Sequence, residues 1–167
     1  MQFNKGDTVV YGIYGICKIK EIRFTSFSPD RPKEKYYVLS PDENKNSTYY
    51  VPFSSADEVL RLPMSKCEIE ALIENARKIH IDWPENRQHR SECLRQIVSG
   101  GISEELIVLL GYLYTKRTEL SSQNKTLPST EEVLFSSAER LLHNEIAHSL
   151  GLSENEVCSY ICELFNK

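Results

Sequence analysis

The feature that most constrains the fold is a change in hydrophobic periodicity near residue 60. Before it, short runs of β-branched and aromatic residues alternate with turn-forming residues. After it, apolar residues recur every three or four positions, as they do along one face of a helix. A chain of 167 residues can form two small domains. We therefore expect an α+β protein with one domain over residues 1–60 and another over 61–167.

The first sixty residues predict an antiparallel sheet of short strands. Pro41 is followed by a run of turn-forming residues, and Pro52 ends the last strand because proline has no N–H to donate. Short strands joined by tight turns in so few residues favour a small, strongly bent antiparallel barrel. The four predicted strands are Thr8–Tyr11, Ile16–Ile22, Tyr36–Leu39 and Ser47–Val51.

The remaining residues predict a compact bundle of five amphipathic helices. Three helix starts carry the capping-box pattern, in which a serine is followed three residues later by a glutamate. Pro84 is expected in the first turn of the second helix, and Gly100-Gly101 at its end. The three boxes are Ser65 with Glu68, Ser129 with Glu132, and Ser153 with Glu156, the last followed by an apolar stripe of Val157, Tyr160, Ile161, Leu164 and Phe165.

Charge and hydropathy narrow the function classes. The net charge of −4 argues against general coating of nucleic acid. Residues 63–167 are acidic, yet 77–95 holds five Lys/Arg against three Asp/Glu. No apolar run is long enough to cross a membrane, and the first residues lack the apolar stretch of a signal peptide. We expect a cytoplasmic protein.

The sequence offers little that could support catalysis. There is no glycine-rich phosphate loop, and His143 and His148 lie five apart, which places them off a common helix face. Cys158 and Cys162 share a helix face, but thiols in a helix core are a better interpretation than a metal pair. The pair Glu131-Glu132 lies in a first helical turn, where the helix dipole accounts for it. We expect no enzymatic activity, no cofactor and no metal.

Trp83 is the single tryptophan and lies in the basic segment between two predicted helices. Two interpretations are open. Trp83 could fill a corner between helices, as buried tryptophans often do. Alternatively, it could be an exposed wedge that enters a minor groove or stacks on an unpaired base, while Arg87 and Arg90 hold the phosphate backbone.

Two series of motifs, one in each half, run along nearly the whole chain. The first half contains Phe3-x-x-Gly6-Asp7-x-Val9-Val10-Tyr11, Tyr14-Gly15-Ile16, Tyr36-Tyr37-Val38-Leu39 and Tyr50-Val51-Pro52. The second half contains Trp83, Asn86-Arg87-x-x-Arg90, Ser99-Gly100, Ser129-x-x-Glu132 and Ala138-x-x-Leu141-Leu142-x-x-Glu145-Ile146-Ala147. In this order and spacing the motifs resemble the CarD/CdnL family of bacterial transcription regulators, whose first module also occurs as the polymerase-interacting domain of transcription-repair coupling factor. The helicase motifs of the coupling factor are absent from the sequence.

The resemblance implies that the first domain is a Tudor/SH3-like sheet that binds the RNA polymerase β subunit, partly by pairing sheet edges. The polymerase contacts would fall at Arg23, Tyr37 and Tyr50. Tyr50 stands where the family pattern has a basic residue, so we expect a more apolar contact.

For the helical domain, the resemblance implies contact with promoter DNA at the upstream edge of the transcription bubble. Trp83 would be a minor-groove wedge that stabilises the open complex, and Arg87 and Arg90 would contact phosphates. Because this half is acidic, we expect weak DNA binding without polymerase, by a monomer. The alternative is a protein–protein adaptor that uses the β-domain, with no DNA role and with Trp83 in the core.

Overall fold

The chain divides into two compact units, Met1–Pro63 and Met64–Lys167. The computed structural model describes residues 2–28, 30, 32–42, 45–153, 156–157 and 159–161. Each unit has its own apolar core. The first unit extends slightly past the expected boundary at residue 60 because Leu60 and Arg61 form a strand that pairs with the first strand of the sheet.

The first unit is built on a five-stranded sheet in which every described neighbour pair is antiparallel. The strand order is β4-β3-β2-β1-β5. A single-turn helix, α1 (Ala56–Val59), connects the last two strands. The strands are β1 (Thr8–Tyr11), β2 (Ile16–Thr25), β3 (Glu34–Pro41), β4 (Tyr49–Pro52) and β5 (Leu60–Arg61).

The α+β class and the antiparallel sheet are confirmed, but two details differ from expectation. The described strands form an open sheet with β4 and β5 at its edges, so closure into a barrel is not shown. In addition, α1 and β5 were not predicted. They have four and two residues, which is too short for a hydrophobic period to develop.

One face of this sheet builds the core of the first unit. Val9 pairs with Cys17, and Ile19 pairs with Leu39, so alternate residues of neighbouring strands point the same way and become buried. Burial, with a smaller contribution from Asp42, raises the pKa of the Cys17 thiol to about 12. The thiol therefore stays protonated and behaves as a small apolar group. The core comprises Phe3, Val9, Cys17, Ile19, Tyr37, Leu39, Val51, Ala56 and Leu60.

The second unit is helical. Residues 156–157 and 159–161 are also helical. With α1 of the first unit, the described chain has about six helical segments, whereas five were predicted, all in the helical domain. Of the predicted last helix, Leu164 and Phe165 lie outside the described residues, as do Cys158 and Cys162. The principal helices are α2 (Lys66–Ala76), α3 (Arg87–Ser99), α4 (Glu104–Ser122) and α5 (Ser129–Leu150).

The helix starts test the predicted caps. The box at Ser65 is confirmed, since Glu68 N donates to Ser65 Oγ and Ser65 N donates to the Glu68 carboxylate. At Ser153, the backbone N–H donates to Glu156 at 2.7 Å, as a capping box requires. The box at Ser129 is wrong: Ser129 is already helical, Pro128 precedes it, and no side chain caps the helix.

The start of α3 also differs from expectation. The helix begins at Arg87, with Asn86 as its cap: the Asn86 side chain accepts hydrogen bonds from the backbone N–H groups of Gln88 and His89. Pro84 therefore lies in the preceding loop and not in the first turn. The predicted stop is confirmed, because α3 ends at Ser99 and Gly101 has a positive φ of 81°, a conformation that favours glycine.

Two apolar clusters fill the helical unit, and α4 and α5 contribute to both. The first joins α2 to residue 157 and comprises Ile69, Ile73, Ala76, Ile107, Leu142, Ile146 and Val157. The second packs α3 against α4 and α5, and Trp83 lies against it. Its buried members are Leu94, Val98, Leu106, Leu109, Leu113, Phe135 and Ala138.

Candidate functional site

The sheet carries a cluster of aromatic and charged side chains on one face, which we call the Arg23–Tyr50 face. It consists of Glu21, Arg23, Phe27, Tyr36 and Tyr50. Cross-strand register explains it: Arg23 pairs with Tyr36, Glu21 pairs with Val38, and Val38 pairs with Tyr50. Side chains of directly paired residues project to the same side of a sheet. The loop that follows β2 then adds Phe27.

Contacts within the Arg23–Tyr50 face hold it together. The Phe27 ring packs edge-on against Tyr36 and Tyr50, with centroid distances of 5.0 and 4.8 Å. Arg23 Nη1 donates to the Tyr50 hydroxyl at 3.4 Å, and Arg23 also forms an ion pair with Glu21. Phe27 remains 62% exposed and Tyr50 36% exposed. Such rings and an arginine, partly fixed but still accessible, are the side chains that protein interfaces favour.

Tyr50 lies in β4, an edge strand, so the backbone of this strand borders the same face. A sheet edge can add a strand from a partner. Tyr37 is different. It is 1% exposed, its ring stacks on Phe53 at 4.1 Å, and its hydroxyl accepts a hydrogen bond from Phe3 N at 3.1 Å. The prediction that Tyr37 contacts a partner is therefore corrected: its side chain belongs to the core.

In the helical unit, Trp83 lies in the loop between α2 and α3. Its indole stacks on the Tyr112 ring of α4, with centroids 4.6 Å apart and an interplanar angle of 23°. Trp83 also packs against the second apolar cluster and is half-buried. It is neither a free wedge nor a fully buried core residue. One face of the ring is supported, and the side chain keeps partial access to solvent.

The two arginines predicted beside Trp83 have different surroundings. Arg87 is exposed at the first turn of α3, three residues before Arg90. Arg90 points inward: its side chain is 16% exposed, and its Nε donates to a Glu131 carboxylate oxygen at 3.1 Å. Its Nη1 donates to the backbone oxygens of Pro84 and Glu85, both at 3.0 Å. The structure therefore does not favour Arg90 as a phosphate contact, whereas Arg87 is accessible.

Glu131 is the important residue that the sequence interpretation missed. Its side chain is 2% exposed and accepts hydrogen bonds from Arg90 and from Lys116 Nζ, the latter at 2.7 Å. Burial works to raise the pKa of this carboxyl, but the two cations outweigh burial and lower it. A signal was present in the sequence: Glu131, Phe135, Ala138 and Leu142 are spaced as one helix face, and the other three are buried.

The described residues contain no group of three or more His, Cys, Asp or Glu side chains arranged to hold a metal. In the same part of the chain, no helix has the length and apolar character needed to span a bilayer. The accessible members of the predicted set lie on two surfaces, one in each unit: the Arg23–Tyr50 face, and the loop that carries Trp83 with the adjacent Arg87.

Residues 3–64 match the sequence model of the CarD-like/TRCF RID domain. The match covers almost all of the first unit. The match runs from Phe3 in the core of the unit to Met64 and includes the whole Arg23–Tyr50 face, so the resemblance noted in the sequence is confirmed for the RID domain. Trp83, Arg87 and the helical unit lie beyond the matched residues. No curated protein sequence matches the chain.

Proposed function

We propose that this protein is a bacterial transcription regulator that binds the RNA polymerase β subunit through its RID domain. In this proposal its helical unit contacts promoter DNA at the upstream edge of the transcription bubble and stabilises the open complex. It acts as a monomer in the cytoplasm, where polymerase and promoters are found. The observation that carries the proposal is the match of residues 3–64 to the RID family.

The Arg23–Tyr50 face and the adjacent edge strand β4 are the proposed polymerase contact. Backbone groups at the edge of β4 supply hydrogen bonds to a partner strand, while Phe27 and Tyr50 supply apolar area. Tyr50→Ser should weaken binding to the β subunit by about tenfold or more, as loss of an aromatic anchor commonly does. Tyr114→Ser is the matched control, because Tyr114 is 65% exposed on α4. Equal binding of the two variants would contradict this assignment.

Trp83 and Arg87 are the proposed DNA contacts. A wedge at a melted junction avoids part of the unstacking energy, which is a few kcal/mol within an intact duplex. It therefore binds melted DNA better than closed DNA and shifts the population towards the open complex without any chemical step. The stack of Trp83 on Tyr112 supports this role, since a wedge fixed in advance loses less conformational freedom on binding.

The test is the lifetime of promoter open complexes formed by RNA polymerase with wild-type protein, Trp83→Ala or Trp83→Phe. We expect Trp83→Ala to remove the lengthened lifetime and Trp83→Phe to retain part of it, because phenylalanine keeps a ring that can stack. Circular dichroism and binding to the polymerase β subunit must remain at wild-type values. A folded, polymerase-binding wild type without any effect on lifetime would contradict the DNA role.

The alternative is a protein–protein adaptor without a DNA role. The observation that favours it is the packing of Trp83 against the second apolar cluster, which makes the indole partly structural. This alternative predicts that Trp83→Ala lowers the stability of the helical unit and leaves the open-complex lifetime unchanged. The proposed function predicts a change in lifetime at temperatures where both proteins are fully folded.

A further inference from the structure

Three helices of the second unit meet at one buried carboxylate. Glu131 lies in the first turn of α5, Arg90 in α3 and Lys116 in α4, and each cation uses a different oxygen of the carboxylate. Arg90 and Lys116 are 16% and 24% exposed at their side chains, so the cluster is largely shielded from water. Charged groups in such a place have restricted geometry, because each is desolvated and depends on its partners.

From this cluster, Arg90 reaches into the loop that carries Trp83. Its guanidinium bridges Glu131 and the carbonyl oxygens of Pro84 and Glu85, the two residues that follow Trp83. Planar guanidinium groups suit such a bridge, since their N–H donors point in fixed directions. The backbone directly after Trp83 is thus tied to the buried carboxylate through a single side chain.

Lys116 provides a second connection between the same cluster and Trp83. Its ammonium donates to Glu131 and also lies 5.5 Å from the centroid of the Tyr112 ring. Tyr112 precedes Lys116 by one turn of α4, and its ring stacks on the Trp83 indole. Glu131 therefore holds both the backbone after Trp83, through Arg90, and the ring beneath Trp83, through Lys116.

We propose that Arg90, held by Glu131, is a positioning residue that fixes the Trp83 loop in the conformation in which the indole contacts DNA. The role in DNA contact rests on the proposed function; the role in fixing the loop does not. Arg90 then acts through Trp83 and not by touching phosphate. Its Nε and Nη1 are occupied by protein acceptors, which supports this assignment over a phosphate contact.

The first test uses Arg90→Lys and Arg95→Lys in the full-length protein. Lysine keeps the charge at position 90 but lacks the planar fork that joins Glu131 to the loop. Each hydrogen bond from a charged donor shifts the equilibrium between fixed and open loop by about tenfold. Arg95, on the same helix, forms an exposed pair with Glu92 and is the matched control.

Trp83 itself reports the result, since it is the only tryptophan in the chain. We expect Arg90→Lys to increase acrylamide quenching of Trp83 towards that of an exposed indole and to shorten the open-complex lifetime, with circular dichroism unchanged. Arg95→Lys should match wild type in each measurement. Wild-type quenching in a folded Arg90→Lys protein would overturn the positioning role.

A second variant keeps the test decisive if Arg90→Lys fails to fold. The triple variant Arg90→Met, Lys116→Met, Glu131→Met replaces the whole charged cluster by apolar side chains of similar length, an exchange that is often neutral for stability. It removes the hydrogen bonds to the loop after Trp83, so we expect a folded protein with increased Trp83 quenching. A folded triple variant with wild-type quenching would refute the inference.

The two proposals fail in different ways. If Trp83→Ala leaves the open-complex lifetime unchanged while Arg90→Lys increases quenching, the positioning role stands and the DNA role fails. If Trp83→Ala shortens the lifetime while Arg90→Lys changes neither quenching nor lifetime, the DNA role stands and the positioning role fails.

Discussion

Replacing Glu131 by glutamine should destabilise the helical unit far more than the same change at Glu132. The two residues are neighbours in the first turn of α5, yet the Glu131 side chain is 2% exposed with two cationic partners, and that of Glu132 is 39% exposed with Arg117 at 3.6 Å. Glutamine keeps the volume but removes the negative charge, which leaves Arg90 and Lys116 without their counter-ion.

The magnitude follows from burial. Removing one partner of a fully buried pair costs about 3–5 kcal/mol. Arg90 and Lys116 keep some exposure and can turn partly to water, so we expect a loss of about 2–3 kcal/mol for Glu131→Gln. Exposed pairs contribute about 0–1 kcal/mol, which bounds the loss for Glu132→Gln.

Urea unfolding followed by far-ultraviolet circular dichroism measures both losses. With a slope of about 1–3 kcal/mol per molar urea, Glu131→Gln should lower the unfolding midpoint of the helical unit by roughly 0.7–3 M. With the same slope, Glu132→Gln should lower the midpoint by at most about half as much. Equal midpoints for the two variants would refute the inference that Glu131 is a buried, paired carboxylate.

Three further predictions concern single groups. The pKa of the Glu131 carboxyl is lowered in the folded state, so the ionised carboxylate stabilises the fold above the ordinary glutamate pKa. This stabilisation is lost as pH falls through the lowered pKa, and acid titration should therefore reduce the stability of wild type more than that of Glu131→Gln. For binding to the polymerase–promoter complex, the logarithm of the binding constant falls linearly with the logarithm of the salt concentration. If Arg87 contacts one phosphate, Arg87→Ala should reduce the magnitude of this slope by about 0.9, while Arg90→Lys should leave the slope unchanged. Tyr37→Phe should cost about 1–3 kcal/mol of stability in thermal unfolding, because the buried Phe3 N–H loses its acceptor, while binding to polymerase by the folded protein stays at the wild-type value.

The elements that could be predicted from the sequence are those with a long period or a local signal. α5 repeats its apolar face over 22 residues, and Ser65 with Glu68 marks the start of α2. A capping-box pattern gave a wrong helix start where an adjacent residue took the cap position. Ser129 has the spacing of a capping box, but Pro128 takes the cap position and Ser129 enters the helix. Proline is favoured near helix starts because its missing N–H costs nothing there.

The sequence indicated which residue types form the candidate site, but it did not indicate whether each side chain faces solvent or the core. Arg87 and Arg90 have the same chemistry and lie on one helix, and only the tertiary structure shows that one faces solvent and the other Glu131. The resemblance alone implied that Tyr37 contacts polymerase. Neighbouring tyrosines in a strand face opposite sides of the sheet, and the sequence alone does not state which of Tyr36 and Tyr37 faces the core. Whether each of these side chains is buried depends on partners that are distant in the sequence.

The inward orientation of Arg90 bears on how such a protein would distribute along a chromosome. Every arginine withheld from phosphate lowers affinity for all DNA sequences alike, so the many non-specific sites of a genome compete less for the protein. Under the proposed function, occupancy would then follow the polymerase and not the DNA. A regulator of this kind would be concentrated at promoters without recognising any promoter sequence, since the polymerase to which it binds is already located there.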